Sequence, residues 1–442
     1  MYTIEGKYTS ALITIDTLDE ATVGQITSFV NHPAFTAPVA IMPDAHYGSG
    51  SCIGFTMPLT EKLIPAVIGV DIGCGVLGVN LGKELPVSLS DLDARIREKV
   101  PMGMAVHSRG IIHMKKEFPW KKVQDLAHKF ILAHGRKFPP KEGPLDIEVP
   151  TYDMDWFENK CKAIGGDITR MINSLGTLGG NNHFIEIGKD LQSNYWLTIH
   201  TGSRNFGKRI AEYHQKLAAK NIQRGFHAKK QEELEQARRE LSGEELGERV
   251  NEIRTKYGPY TCYKGLEFLE GVDALNYLYD MLFSQIYAEV NRDRISRIIF
   301  DILGVEVVSK VETVHNCVDF NDMVIRKGAV RSNTGELFMI PFNMRDGILL
   351  CEGKSNPEWN SSAPHGAGRI MSRAKAKDCI SLEVYQEQMK GIYTTSVGQS
   401  TLDEAPNAYK DCHLIEGAIG PTAIVMDRIK PVLNMKATEV KA

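Results

Sequence analysis

Strand-like and helix-like segments share this chain and predict an α+β fold, a single integrated body of mixed sheets with a charged helical insertion at about residues 208–300. Apolar runs bounded by glycines and turn residues predict strands over residues 41–81 and again after Gly304. Two long stretches between them, one highly charged and one far more apolar, predict helices. The length alone would allow two or three domains of about 150 residues. No flexible linker, internal repeat or low-complexity tract divides the 442 residues, so we expect one unit.

The first hundred residues predict a strand, a helix and a glycine-rich sheet region. The apolar run ALITI is typical of a strand, and residues 17–20 (TLDE) have the spacing of a capping box at the start of a helix. The segment EKLIPAVI, residues 61–68, predicts a buried strand that ends at the stretch GVDIGCGV. A helix is predicted over residues 88–100, where apolar and charged residues alternate at helical spacing.

Residues 101–165, with several prolines and aromatics, predict an irregular region. A helix that runs into a glycine loop is predicted at residues 167–180, and the run YWLTIH is typical of a strand. The highly charged residues 210–254 predict helix, most simply a solvated surface excursion. The more apolar residues 272–303 predict a second long helix that packs on the core, and a short helix is expected near residues 382–391.

The composition argues against several classes of protein. With a formal net charge of −3, the chain as a whole has no electrostatic attraction to nucleic acid. This net charge does not exclude a local basic channel. No apolar stretch approaches the roughly 18 residues of a membrane span, and no secretory signal begins the chain, so we expect a cytoplasmic protein without a membrane partner. Eight scattered cysteines without a CxxC pair argue against a disulfide framework and a four-cysteine zinc site.

Four histidines stand beside glycine or asparagine near the ends of predicted strands: His183, His200, His315 and His365. Singly, such a histidine is more often a hydrogen-bonded structural residue than a ligand. Together with Asp71 and Cys74 they form a mixed nitrogen, oxygen and sulfur set that suits transition metals better than magnesium. A thiolate can bridge two ions, so the set could hold a two-metal centre of the kind that supports in-line displacement at phosphorus.

Two glycine-rich stretches could act beside such a centre. In HGAGR, His365 precedes two glycines whose backbone N–H groups could approach an anion, and Arg369 could add charge-assisted bonds. His365 could then be a metal ligand, an acid or a nucleophile that forms a covalent nucleotidyl intermediate, while a plain glycine turn stays an alternative. In MPDAHYGSGSCIG, Asp44 and His46 could orient a catalytic histidine or hold a phosphate, or simply form a turn.

The order of these motifs resembles that of the RtcB family of RNA ligases. The matching stretches, from about residue 40 to residue 436, are PDAHYGSG, IGVDIGCGV, GNNHFIEIG, IHTGSRNFG, VHN, HGAGR, APNAYKD and KPVLNMK. The resemblance implies an RtcB-like fold and a GTP- and manganese-dependent ligase. Such an enzyme joins an RNA 2′,3′-cyclic phosphate or 3′-phosphate end to a 5′-hydroxyl end, in RNA repair or tRNA splicing.

The resemblance also assigns roles to individual residues. The expected ligands of two Mn²⁺ ions are Asp71, Cys74, His183, His200 and His315, with Cys74 as the bridge. His365 is expected to take GMP from GTP, and Asp44 matches an acid needed around that step. The expected nucleotide contacts are Asn182, Glu186, His365, Gly366, Ala367, Gly368, Tyr409 and Lys436. RNA contacts are expected from Arg204 and Arg369.

One departure from the family pattern lies at residues 340–350. Family members carry a serine loop resembling PGSMG before HGAGR, whereas this chain has IPFNMRDGILL, with Asn343, Arg345 and Asp346. The resemblance therefore points to a divergent branch, in which the sugar and phosphate contacts of this loop differ. We further expect a monomer and count an archease-like activator among the candidate partners.

Two alternatives to the ligase stay open on the sequence. A dimetal phosphoesterase or nucleotidyl hydrolase could use the same cluster to activate water, without a covalent GMP step. A nucleic-acid-binding protein whose chemistry has decayed is the other alternative. All five metal positions and the histidine of HGAGR match the family pattern, which argues against the decayed protein.

Overall fold

The computed structural model describes residues 1–139, 148–257, 263–305 and 307–438, and within these ranges it has the mixed α+β architecture that the sequence predicts. The strands are β1 (Tyr2–Glu5), β2 (Ser10–Ile13), β3 (Val39–His46), β4 (Ile53–Pro58), β5 (Gly75–Gly82), β6 (Phe184–Lys189), β7 (Tyr195–Thr201), β8 (Ser309–Val314), β9 (Asn316–Asp319), β10 (Val324–Lys327), β11 (Ala329–Arg331), β12 (Leu337–Pro341), β13 (Ile348–Gly353), β14 (Ser362–Pro364) and β15 (Ala423–Met435). The α-helices are α1 (Glu20–Val30), α2 (Pro65–Ile68), α3 (Leu89–Lys99), α4 (Met114–Glu117), α5 (Trp120–His134), α6 (Met154–Ala163), α7 (Ile168–Asn173), α8 (Arg204–Glu240), α9 (Gly243–Lys256), α10 (Gly271–Leu303), α11 (Arg373–Cys379), α12 (Leu382–Gln388) and α13 (Cys412–Ala418).

The described strands form three sheets. A six-stranded sheet has the order β1-β2-β3-β4-β10-β9, and β11 pairs with β14 alone. A seven-stranded sheet has the order β12-β13-β15-β6-β7-β5-β8 and curls so that β8 packs near β12, which gives it a nearly closed, barrel-like shape. All described strand pairs are antiparallel except β2 with β3. The curl creates an inner face, and the site described below opens from it.

Side chains along the central strands of the curled sheet point alternately to its outer and inner faces. The outward row packs against helices, and the inward row faces the inside of the curl. On β7, Leu197 and Ile199 pack outward against α3 and α10 in one hydrophobic cluster. The intervening residues Trp196, Thr198 and His200 therefore face inward, because successive strand residues point to opposite faces. Burial of the outward row in this way fixes which face of the strand the polar row occupies.

Helix α10 is the main packing element beside the sheets. Its 33 residues are buried along most of their length, as the apolar composition of residues 272–303 predicts. Phe283 in its first half stacks on Phe118, with ring centroids 5.0 Å apart, inside a large aromatic cluster. Ile295 and Ile299 in its second half pack against the curled sheet.

The segment predicted as a buried strand before GVDIGCGV is instead the short helix α2, so that prediction was wrong. Pro65 occupies the first helical position, where its fixed φ and its missing N–H are tolerated. The turn after α2 leads directly into β5. Asp71 and Cys74 consequently lie just before the start of a strand, not at the end of one.

Two other local predictions also need correction. Helix α1 begins at Glu20 with Asp19 as its N-cap, since the Asp19 carboxylate accepts a bond from the Thr22 backbone N–H at 2.9 Å; the predicted capping box began too early. The region expected to be irregular, residues 101–165, contains α4, α5 and α6, and its residues 140–147 lie outside the described part. Helix α5 buries one residue per turn, a period that the surrounding prolines obscured.

The charged region after β7 forms an antiparallel helical hairpin, α8 and α9, followed by α10. A small cluster that includes Ala237, Ile253 and Tyr257 holds α8 and α9 together. The description of this region as an insertion at about residues 208–300 stays a prediction. None of the helices in the described ranges is long and apolar enough to cross a membrane.

Candidate functional site

The five predicted metal ligands come from four separate places in the chain and meet at one end of the curled sheet. Asp71 and Cys74 lie in the turn before β5, and His183 directly precedes β6. His200 lies on β7, and His315 joins β8 to β9. Because β5 pairs with both β7 and β8, and β7 pairs with β6, the sheet brings all five residues together.

The donor atoms form two groups that share one thiol. Asp71, Cys74 and His183 form the first group, and Cys74, His200 and His315 form the second. The Cys74 Sγ lies 3.5 Å from His183 Nε2 and 3.3 Å from His200 Nε2. The Asp71 Oδ2–His183 Nε2 distance is 2.9 Å, and the His200 Nε2–His315 Nε2 distance is 3.2 Å. Atoms that share one ion at about 2.1–2.3 Å are separated by about 3–3.7 Å, so both groups fit a metal ion.

The hydrogen bonds of His183 support the same conclusion. Its Nδ1 lies 3.0 Å from the Leu178 carbonyl oxygen, to which only a protonated Nδ1 can donate. In the neutral ring, Nε2 then presents a lone pair toward the Asp71 carboxylate. Two such atoms at 2.9 Å need a proton or a cation between them. A backbone carbonyl that orients a histidine from behind is also typical of metal sites.

The electrostatics of the cluster favour neutral histidines. Burial lowers the pKa of His200 and of His315 well below the ordinary value, and the neighbouring histidines add to this effect. Burial and the charge of Asp71 raise the pKa of the Cys74 thiol well above its ordinary value. A thiolate at Cys74 therefore needs a cation beside it, which a divalent metal supplies as the proton leaves.

His365 lies beside this cluster and is held by Asp44. The His365 and His315 ring centroids are 4.8 Å apart. The Asp44 Oδ2 lies 2.7 Å from His365 Nδ1 and also accepts the His365 backbone N–H at 3.2 Å. Asp44 is fully buried on β3, so its carboxylate fixes the ring orientation and leaves Nε2 as the free nitrogen.

Two glycines allow the close approach of these segments. Gly368 has φ +76°, and a Cβ there would come within 2.1 Å of the Asp44 carbonyl oxygen. A Cβ on Gly202 would come within 2.3 Å of the Asp71 carboxylate. Side chains at these positions would push the HGAGR turn away from β3 and the start of α8 away from the metal cluster.

A cavity of about 790 Å³ opens from the cluster along the inner face of the curled sheet. His200 and His365 are part of its wall. All the residues predicted to bind the nucleotide also line it: Asn182, Glu186, His365, Gly366, Ala367, Gly368, Tyr409 and Lys436. This volume suits a nucleotide-sized ligand, whose typical pockets measure about 300–1,000 Å³.

Glu186 lies on the cavity wall with unused hydrogen-bonding capacity. Its side chain is 2% exposed, and one oxygen accepts a bond from the Asn434 amide at 2.7 Å. The other oxygen and the Asn434 Oδ1 have no partner among the described residues. Burial raises the pKa of Glu186 to about 8, although Asn434 and Lys436 act in the opposite direction. A buried acceptor without a partner is costly unless a ligand supplies the donor.

Glu404 is a charged cavity residue that the sequence reasoning missed. Its Oε2 accepts bonds from Lys436 Nζ at 2.8 Å and from the Tyr409 hydroxyl at 2.9 Å, and Arg373 pairs with its other oxygen. Burial alone would raise the pKa of Glu404, but the charges of Lys436 and Arg373 lower it to about 2. The only signal in the sequence was its place three residues before the motif NAYKD.

The two arginines predicted to bind RNA have protein partners. Arg204, with φ +56° at the start of α8, donates to Thr177 Oγ1 at 3.0 Å and to the Gly103 carbonyl at 3.1 Å. Arg369 donates to the Asp403 carbonyl at 2.6 Å and stacks over the Tyr409 ring, 5.0 Å from its centroid. Arg204 lies near the metal cluster, and Arg369 lines the cavity.

The loop that departs from the family pattern, within residues 340–350, joins β12 to β13 and forms part of the cavity wall. The Asn343 amide donates to Asp346 at 2.8 Å, and the Asn343 Oδ1 accepts the Arg345 and Asp346 backbone N–H groups at 3.0 Å. The Arg345 guanidinium pairs with Asp346 at 2.7 Å. These contacts hold the loop in a closed turn, with Asn343 and Met344 toward the cavity.

Comparison with known proteins gives consistent matches over nearly the whole chain. The family model described as RtcB, tRNA-splicing ligase RtcB, matches residues 25–437. An RNA-splicing ligase RtcB from Escherichia coli (strain K12) is 27% identical, with 93% of each chain covered. A tRNA-splicing ligase RtcB from Nanoarchaeum equitans (strain Kin4-M) is 27% identical over 91% of this chain and 89% of its own. An RNA-splicing ligase RtcB2 from Escherichia coli (strain ATCC 25922) is 24% identical over 95% and 93%.

Proposed function

The chain belongs to the RtcB family, and on this basis we propose that it is an RNA ligase that joins RNA 2′,3′-cyclic phosphate or 3′-phosphate ends to 5′-hydroxyl ends. The observation that carries the proposal is the position of His365. This histidine is oriented by a buried carboxylate, borders a nucleotide-sized cavity and lies beside a two-metal donor set. A hydrolase could use the same oriented histidine as a general base for water, but it needs neither GTP nor a guanylylated histidine, so the fate of GMP separates the two functions.

In the proposed reaction, His365 Nε2 attacks the α-phosphorus of GTP. An N–P bond forms, the bond to the β-phosphate bridging oxygen breaks, and pyrophosphate leaves. An oxygen of the RNA 3′-phosphate then takes the GMP group, which breaks the N–P bond and frees His365. Finally the 5′-hydroxyl of the second RNA attacks the activated 3′-phosphorus, and GMP departs. A 2′,3′-cyclic end must first be opened to a 3′-phosphate by water.

The residues of the site have distinct tasks in this proposal. Asp44 holds the proton on His365 Nδ1 and stabilises the positive charge that the ring gains as it attacks. Two manganese ions on Asp71, Cys74, His183, His200 and His315, when bound, would supply Lewis-acid stabilisation of phosphate charge. Arg204 and Arg369 would contact RNA phosphates at the edge of the site.

The nucleotide contacts follow the cavity wall. Glu186, with its unpartnered oxygen, would accept bonds from the guanine edge, and Asn182 would contact a phosphate. Gly366, Ala367 and Gly368 would lie along the nucleotide, with Tyr409 and Lys436 near the guanosine. Glu404 would position Tyr409 and Lys436, since it binds both. The Asn343 loop would replace the sugar and phosphate contacts of the usual serine loop.

Incubation with GTP labelled at the α-phosphate and Mn²⁺, followed by denaturation, tests the proposal directly. Wild type should retain an acid-labile label, and His365→Ala should retain none. The matched control is His413→Ala, because His413 is an exposed histidine on α13 and does not line the cavity. An unlabelled wild type, or equal labelling of His365→Ala, contradicts the ligase mechanism. Phosphate release without labelling would instead favour a dimetal phosphoesterase.

A pH dependence should follow from Glu186. Its pKa of about 8 means that the carboxyl is mostly protonated at pH 7 in the empty cavity, and a guanine edge that donates hydrogen bonds favours the ionised form. Affinity for guanosine should therefore rise between pH 6 and pH 8, by at most about tenfold per unit, and level off above the pKa. Calorimetric titration measures this. Glu186→Gln should flatten the rise, and an equally steep profile in that variant contradicts the role of Glu186.

The proposal extends to the cellular setting of the enzyme. We propose action in the cytoplasm, as a monomer, in RNA repair or tRNA splicing, with an archease-like protein as a candidate activator. Ligation of defined 3′-phosphate and 5′-hydroxyl oligonucleotides, with and without such an activator, measures this dependence.

A further inference from the structure

The α8–α9 hairpin has opposite charges in its two halves. From Arg204 to residue 230, α8 carries eight lysines and arginines and one carboxylate, a net charge of +7. From residue 231 to Lys256, the hairpin carries eight carboxylates and five cations, a net charge of −3. A helix that is merely solvated usually mixes both signs along its length. The proximal half of α8 therefore departs from the charge pattern of a merely solvated helix.

Three of the cations follow one row on the outer face of α8. Lys216, Lys220 and Arg224 are separated by four residues each, so they lie one above another at intervals of about 6 Å. All three are exposed, whereas Ala211, His214 and Ala218 on the opposite side of the helix are buried. The row is therefore turned away from the protein core.

The row also lacks the ion pairs found elsewhere on the hairpin. Lys216, Lys220 and Arg224 have no carboxylate within 4 Å among the described residues, and Arg224 contacts only the Asn221 side chain at 3.5 Å. In the distal half, by contrast, Lys256 and Arg249 pair with Glu233 at 2.6 Å and 3.7 Å. Carboxylates thus pair with three of the five distal cations, Arg239, Arg249 and Lys256, and, in the described part of the chain, with none of the three cations of the row.

The row leads away from the metal cluster. Helix α8 begins where Ser203 donates to the Ile72 carbonyl at 2.5 Å, within the turn that carries Asp71 and Cys74. Lys216 and Arg224 lie about 18 Å and about 30 Å along the helix axis from Arg204, at 1.5 Å per residue. A polyanion whose end lies in the site could therefore follow α8 outward over several charges.

We propose that the outer face of α8, formed by Lys216, Lys220 and Arg224, binds the phosphodiester backbone of the RNA whose end is in the site. This inference rests on the proposed function, because it assigns a path to the substrate of that reaction. Regularly spaced cations without carboxylate partners attract phosphates through counterion release and read no base sequence. The face would thus add affinity for long RNA without affecting GMP transfer.

The test compares two triple variants with equal changes in charge. The first is Lys216→Gln, Lys220→Gln and Arg224→Gln. The control is Arg238→Gln, Arg239→Gln and Arg254→Gln, which removes three exposed cations from the distal half of the same hairpin. Binding is measured by fluorescence anisotropy with a labelled single-stranded 20-mer that ends in a 3′-phosphate, across a range of salt concentrations.

The first variant should bind the 20-mer about 10- to 100-fold more weakly at 0.1 M salt, and its slope of log affinity against log salt should fall by about 2, as expected for three lost phosphate contacts. The control should resemble wild type. Ligation should fall for substrates with long arms and stay unchanged for arms of two nucleotides, and labelling by GTP should not change. Equal RNA binding by both triple variants overturns the proposal and would favour an acidic protein as the partner of this face. If wild type neither labels with GMP nor ligates, the proposed function fails, while the binding comparison still decides the role of α8.

Discussion

Replacement of Cys74 by alanine should abolish guanylylation and ligation together while the protein stays folded. Cys74 is the one residue common to both donor groups, and its Sγ lies within 3.5 Å of histidines from each. In the proposed two-metal centre, loss of the thiolate would remove a ligand from both ions at once. We expect manganese affinity to fall by at least about 100-fold, since changes outside the ligand set already cost 10- to 100-fold in other metal sites.

Metal analysis after dialysis against manganese, together with labelling by GTP, measures this outcome. The matched control is Cys351→Ala, because Cys351 is equally buried on β13 and does not belong to either donor group. It should keep both metals and full labelling. Retention of GMP transfer to His365 by Cys74→Ala would refute the bridging role. Melting temperatures of both variants separate metal loss from unfolding.

Replacement of Asp44 by asparagine should slow transfer of GMP to His365 by about 10²- to 10⁴-fold. The amide can still accept the His365 N–H groups, so the ring keeps its place. The negative charge that stabilises the attacking imidazole is lost, however, and the amide can also favour the wrong ring tautomer. Because Asp44 is fully buried, solvent cannot replace its charge.

Rapid-quench measurement of the labelled enzyme gives the rate of this step, and equilibrium binding gives the GTP affinity, which should change by less than about threefold. Asp190→Asn is the control: Asp190 is also a buried, hydrogen-bonded aspartate, on the turn after β6, and does not line the cavity. A normal labelling rate in Asp44→Asn would show that His365 needs no carboxylate behind it.

The fold class and the convergence of candidate residues could be predicted because strong local patterns carried them. The run YWLTIH alternates apolar and polar residues, and this alternation directs His200 inward in the structure. The apolar composition of residues 272–303 is a second strong local pattern, and these residues form one buried helix. The elements that were missed had conflicting local signals: Pro65 lies within an apolar run, and α5 lies among prolines and aromatics.

The cavity network around Glu404 could not be predicted from local sequence. Its partners Lys436, Tyr409 and Arg373 are up to 32 residues away, and only the packing of the loops around the curled sheet brings their charges to one carboxylate. No spacing rule encodes such a cluster. The loop around Asn343 is similar, because the sequence revealed that it differs from the family pattern but not that its side chains bond to one another.

Side chains of β6 and β7 point alternately to the two faces of the sheet, and this limits how the chain can change in evolution. Deletion of a single residue within β7 would turn His200 toward the helices and bring Ile199 into the cavity, which would remove one donor from the cluster and bury a polar ring at the same time. Insertions and deletions should therefore be excluded from these strands. The α8–α9 hairpin, which projects beyond the sheets with its own small core, could gain or lose whole helical turns without moving any residue of the cluster. Variation in length among descendants of this chain should accumulate there.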